Sequence, residues 1–175
     1  MARREKKPIS TMMGLLRAMI REYGSRKTGA ILRCIRSTPP EIYVEEFFDD
    51  GKGHSGAFTS DRADVVPELF ERALHAHYLS GKLEPGYVSD WEFEITDSGR
   101  DEYWRRKRIA NTSLKLLASG ESARFDHLYC SLSHIDSLSE EVAQDILGWL
   151  VSEGYVGSHE HAGRPCYFLA MGGVI

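Results

Sequence analysis

His159 and His161 stand two apart, so on a strand both side chains point to one face, and Cys166 can approach them across a hairpin. Imidazole and thiolate are the usual ligands of zinc, yet a structural zinc site takes four, and no fourth accompanies these three. The expectation is therefore two solvent-facing histidines and no bound metal. His75 and His77 make a weaker pair, because residues two apart on a helix diverge by about 200°. His77 falls on an apolar stripe and reads as a core histidine. The adjacent acids Glu45-Glu46 and Asp49-Asp50 sit in and beside a turn and read as a solvated face. The chain has no glycine-rich phosphate loop, no G-x-S-x-G elbow and no C-x-x-C pair, so nothing in it specifies catalysis and no cofactor is expected.

Charge is the stronger signal. The net −4 conceals a segregation: residues 1–36 carry ten Lys/Arg against two acids, for +8. Residues 37–98 come to −10, residues 99–115 to +4, and residues 116–175 to −6. Basic blocks are where a polyanion would be held whatever the total says. Arg3, Arg4, Lys6, Lys7, Arg17, Arg21, Arg26, Lys27, Arg33 and Arg36 form the first block, and Arg105, Arg106, Lys107 and Arg108 the second, with Trp104 beside it. Both are candidate phosphate contacts, to which His159 and Arg164 add from the C-terminal hairpin. Against this stand Glu140, Glu141, Gln144, Asp145 and Glu153, the polar positions of a helix that carboxylates make unsuited to a duplex. Glu140, Glu141 and Asp145 fit a protein partner instead.

The elements that must position these residues follow from periodicity. Ser10-Thr11 opens a first helix in which Met12, Leu15, Leu16, Met19, Ile20 and Tyr23 recur at steps of three and four, with Met12, Met13 and Met19 assigned to the core. A second helix is expected over 27–36, with Ile31, Leu32 and Ile35 inward and Pro39-Pro40 ending it. Residues 41–48 read as a strand, and the turn cluster 49–53 predicts a hairpin returning through 57–59. Asp61 or Asp64 would cap the next helix, with Val66, Phe70, Ala73, Leu74, His77 and Tyr78 as its stripe. Trp91, Phe93 and Ile95 alternate with Glu92 and Glu94, the pattern of a half-buried strand. Thr96 or Asp97 then caps a basic helix over 100–110. Further helices are expected over 113–119 and 124–133, and a capping box Ser137-x-x-Glu140 opens a last one bearing Val142, Ile146, Trp149 and Leu150. Gly154 stops it, and Tyr155-Val156, the turn 161–164 and 167–169 make a two-stranded hairpin.

Helix, strand, turn, strand, "ITDSGR" (95–100), helix resembles the final wing and C-terminal helix of winged-helix regulators of the MarR and PadR type. "ILGWLVSEGYV" (146–156) followed by "GRPCYFLA" (163–170) is similar to the third helix and wing of many winged-helix domains. The resemblance implies an α+β, mostly helical protein with two winged-helix-like domains, residues 1–110 with a basic arm and hairpin insertion and residues 111–175, joined by the basic helix. It implies binding of double-stranded DNA in transcriptional or mobile-element control, in a bacterium or phage, as a homodimer. The alternative is a winged-helix module that docks on a protein complex, in the manner of an adaptor, inhibitor or acidic DNA mimic. Three widely spaced cysteines fit reduced thiols in a cytoplasmic protein, and no run of the chain reaches the roughly 20 apolar residues of a membrane helix.

Overall fold

The computed structural model describes residues 9–20, 28–35, 41–49, 52–54, 65–81, 90–120 and 122–170, with backbone alone at 28–35, 41–49, 52–54, 65–67 and 90–92. The chain is α+β. It divides into two compact units, Met1–Tyr103 and Trp104–Ile175, and the division falls within one helix.

In the first unit, α1 (Met12–Ile20) is capped by Thr11, whose hydroxyl accepts the Gly14 N–H at 3.0 Å. It buries all three of its methionines together with Leu15, Leu16 and Ile20, as the periodicity predicts. The next segment corrects the sequence reading: the helix expected over 27–36 is strand β1 (Thr28–Ile35). Ile31, Leu32 and Ile35 satisfy a helical spacing, but Thr28, Ile31 and Ile35 are β-branched, and ladders on both sides decide the outcome. β1 pairs antiparallel with β2 (Glu41–Asp49) and with β5 (Asp90–Ile95), which makes it the middle of a five-stranded sheet ordered β3-β2-β1-β5-β4. The hairpin from β2 returns sooner than expected, through β3 (Lys52–His54), with Asp49 opposite Lys52. Residues 57–59 and the expected caps Asp61 and Asp64 lie outside the described residues.

Helix α2 (Val65–His75) buries Leu69, Phe70 and Ala73. It ends before position 77. His77 takes a left-handed φ of 59°, its N–H donates to the Leu74 carbonyl at 3.0 Å, and the Tyr78 N–H reaches back to Ala73 at 2.8 Å. These two bonds close a Schellman motif. His77 is therefore exposed and is no core histidine, because the stripe stops with the helix. Strand β4 (Leu79–Gly81) pairs with β5, where Phe93 and Ile95 are buried and Glu94 is exposed. The Phe70 and Phe93 rings meet at 4.6 Å between centroids.

Thr96 then starts α3 (Asp97–Ala118). Its hydroxyl accepts the Gly99 N–H at 3.0 Å and lies 2.6 Å from the His77 carbonyl, to which it donates, while its own N–H donates to Tyr78 at 3.0 Å. Gly99 is required by a close approach: a Cβ there would lie 2.2 Å from the Tyr78 carbonyl oxygen. The "ITDSGR" step is thus a cap plus a steric slot.

No helix break separates α3 from the short helix expected over 113–119; the two are one element. Thr112 and Ser113, at the expected boundary, donate back to the carbonyls of Arg108 at 3.0 Å and Ile109 at 2.9 Å, so the hydroxyls are satisfied inside a continuing helix. In the second unit, β6 (Ala123–Arg124) leads into α4 (Phe125–Ile135), which buries Phe125, Leu128 and Leu132. Helix α5 (Glu140–Ser152) is capped by Ser139, which accepts the Val142 N–H at 3.3 Å, and not by Ser137 as the S-x-x-E spacing suggests. α5 buries Ala143, Ile146, Leu147, Trp149 and Leu150.

At its end Gly154, at φ 80°, and Tyr155 repeat the Schellman bonding, to Val151 and Leu150 at 3.0 Å each. Strands β7 (Val156–His161) and β8 (Arg164–Leu169) form a hairpin whose two-residue loop, Ala162-Gly163, has φ 51° and 73°. Positive φ at both positions matches the twist of the strands. The sheet order is β6-β8-β7. Within the first sheet β1-β5-β4 has the same arrangement. In each unit a helix and strand are followed, further along the chain, by a helix, a Schellman turn and a hairpin whose second strand pairs with that earlier strand. Phe168, opposite Gly157 in the hairpin, lays its ring where a Gly157 Cβ would stand, 2.1 Å from its outermost carbon.

Candidate functional site

The second unit holds its basic residues in three different states. Arg106 is buried at 5% exposure, and its guanidinium meets the Asp145 carboxylate at 2.8 Å, with the side chains 6% and 12% exposed. A buried charge stays only if it is paired, and removing one partner of such a pair costs about 3–5 kcal/mol. Arg106 is therefore an internal strut between α3 and α5 and offers nothing to a phosphate, and Asp145 is equally committed. Arg105 is half-buried; it donates to the Ser137 carbonyl at 2.8 Å and lies 3.3 Å from Asp136, tying α3 to the loop before α5. Lys107 sits 5.1 Å from the ring centre of Trp104, itself 49% exposed, and Arg108 is exposed. The four consecutive cations are thus spread around the helix, as its 3.6-residue period requires.

Arg164 on the hairpin meets Asp126 at 2.7 Å, and Arg124 approaches the same carboxylate at 3.6 Å. His159 is exposed and tilts against Phe168, 5.9 Å between ring centres. His161 is exposed as well, whereas Cys166 is buried. Among the described residues no three His, Cys, Asp or Glu side chains are gathered to hold a metal ion. Burial pushes the Tyr167 phenol on β8 above its ordinary 10.0.

Of the exposed residues of α5, Glu140, Glu141 and Gln144, the last 3.4 Å from Glu140, lie towards its start and Gly148 and Ser152 further along, and the helix contains no Lys, Arg or His. In α2, Glu68, Glu71, Arg72 and His75 are exposed, a set of mixed sign. Arg17 is half-buried on α1. Arg3, Arg4, Lys6, Lys7, Arg21, Arg26, Lys27 and Arg36 lie outside the described residues, and Arg33 is placed by its backbone, in the middle strand β1, paired with Tyr43 and Asp90.

One close pair has no counterpart in the sequence reading. Cys130 Sγ and His134 Nε2, both exposed on α4, are 3.8 Å apart. Their spacing of four is the signal that would have found them. Comparison with protein-family models, with curated proteins and with solved structures finds no match. Among the described residues no helix is long and apolar enough to cross a membrane.

Proposed function

We propose that the chain is a protein-interaction module built of two winged-helix-like units, which docks a basic partner surface through the outward face of α5. The observation that carries this reading is the charge of that helix. In a winged-helix arrangement the helix before the hairpin is the one that enters a DNA groove, and here it presents Glu140, Glu141 and Gln144 and contains no cation. Carboxylates against a duplex repel phosphate. The neighbouring cations Arg106, Arg105 and Arg164 are each turned to an acid of the same unit. The repeated sheet order, β1-β5-β4 and β6-β8-β7, supports the winged-helix part of the reading.

One observation favours DNA binding as the second reading: the +8 charge of residues 1–36. Neutralised phosphates would make such binding fall steeply with salt. Fluorescence anisotropy of a random duplex across a salt series separates the two. The interaction reading expects weak binding by the wild type even at about 50 mM salt, and a gain of affinity when Glu140→Lys and Glu141→Lys reverse the face of α5. Tight, salt-dependent binding by the wild type that is lost when Arg3, Arg4, Lys6 and Lys7 become alanine would replace it with the DNA reading. The charge-reversed protein also serves as the matched control in affinity capture, since a partner of this face is retained by the wild type and released by the variant.

A further inference from the structure

We propose that Cys130 and His134 form half of a tetrahedral site for zinc or a similar thiophilic divalent ion, and that the same pair on a second copy of this chain completes it. The inference is independent of the function proposed above, since it rests on α4 and not on the acidic face of α5.

The geometry comes first. Zinc binds thiolate sulfur at about 2.3 Å and imidazole nitrogen at about 2.0–2.1 Å, and a tetrahedral angle of about 109° between those bonds sets the two ligand atoms about 3.6 Å apart. Cys130 Sγ and His134 Nε2 are 3.8 Å apart. The spacing of four residues stacks the two side chains on one face of α4, so an ion can enter between them with small side-chain rotations and no change in the helix. Both residues are exposed, which gives the ion a path, and Cys130 is not in a disulfide. In the metal-free protein the thiol and imidazole hold each other in place through a weak sulfur–nitrogen hydrogen bond. On binding, the thiol proton is released to solvent, the sulfur coordinates as thiolate and the imidazole coordinates through Nε2.

The number of ligands then decides the partner. Among the described residues no third His, Cys, Asp or Glu joins the pair. Asp126, one turn before Cys130, is held by Arg164 at 2.7 Å and Arg124 at 3.6 Å. His127, seven residues before His134 and so about 10 Å away along the axis, is not gathered with the pair. A structural zinc ion takes four protein ligands, and a twofold axis through the ion supplies them by repeating the same two. Ile135, the residue after His134, is 64% exposed, a large apolar side chain beside the pair that a twofold contact would cover.

The test uses the reduced 175-residue chain and two probes, cobalt(II) for spectroscopy and zinc(II) for sedimentation velocity. The expected result is a thiolate-to-cobalt charge-transfer band with the visible bands of tetrahedral cobalt, saturating at one ion per two chains. Zinc should convert monomer to dimer, reversed by a chelator. Both signals should vanish in Cys130→Ser and in His134→Ala, whose altered side chains are exposed, and both should persist in the Cys34→Ser, Cys166→Ser double variant. Saturation at one cobalt per chain without a change in mass would overturn the shared site. Signals that survive His134→Ala would overturn the pair as ligands.

Discussion

A methyl group on residue 99 would place its carbon 2.2 Å from the Tyr78 carbonyl oxygen and 2.9 Å from Ile95. The first of these is backbone held by the Thr96 N–H, so it cannot swing aside. Inside a helix, glycine to alanine ordinarily gains about 0.5–1 kcal/mol. Here the sign inverts. Gly99→Ala should destabilise the protein by about 1–3 kcal/mol, the range for forced overpacking, read as a lowered urea midpoint. A stabilised variant would mean that α3 does not start against the Tyr78 turn. Neither Gly99 nor Thr96 touches any candidate ligand; their role is to fix where α3 begins. The Arg106–Asp145 pair works at the same scale. Read along the chain, Arg106 is one of four consecutive cations, but burial and the 2.8 Å contact set it apart from Arg108 two residues on.

The helix starting at residue 140 tests what spacing alone conveys about an element. Ser137 and Ser139 both precede it, and Ser137 has the better motif, with glutamate three residues later. The hydroxyl that accepts the Val142 N–H belongs to Ser139. Ser139→Ala should cost about 1 kcal/mol and Ser137→Ala less than about 0.5 kcal/mol, measured as paired shifts in chemical denaturation. The contrast shows where the sequence is legible. Strand 90–95 is visible because glutamates alternate with its apolar residues in the sequence, and the structure buries Phe93 and Ile95 and exposes Glu94. Strand 28–35 is not, because it lies in the middle of its sheet and its pattern, Ile31, Leu32 and Ile35, serves a helix equally well. The long helix 97–118 reads as two pieces, 100–110 and 113–119, because the polar residues Asn111, Thr112 and Ser113 interrupt its pattern; the Thr112 and Ser113 hydroxyls bond to Arg108 and Ile109 within one continuous helix. The same limit applies to the candidate site. A spacing of four is written in the chain at Cys130 and His134, but it becomes meaningful once α4 aligns them at 3.8 Å.

For the molecule as a whole, segregation of charge matters more than its sum, since the N-terminal +8 and the −6 after residue 115 differ in sign within one chain of net −4. Alkaline stability depends in part on the half-buried phenol of Tyr167. The folded protein holds the Tyr167 proton more tightly than the unfolded chain does, because burial disfavours the phenolate. That contribution is complete below the unfolded value of 10.0 and is lost as pH rises through the folded one. Unfolding free energy should therefore decline above about pH 10, and Tyr167→Phe should flatten that decline while leaving stability at neutral pH little changed. A decline of the same steepness in both proteins would assign it to other groups.

The ring of Phe168 over Gly157 bears on how this chain can change by descent. The aromatic side chain occupies the volume that a side chain at 157 would need, so a change at one position bears directly on the other. A lineage that acquires a side chain at 157 must turn the ring at 168 out into water or replace it with something smaller. Among homologues the pair should covary, glycine with a large aromatic and a β-branched residue with a small one, and that pairing would be a genealogical mark of this hairpin.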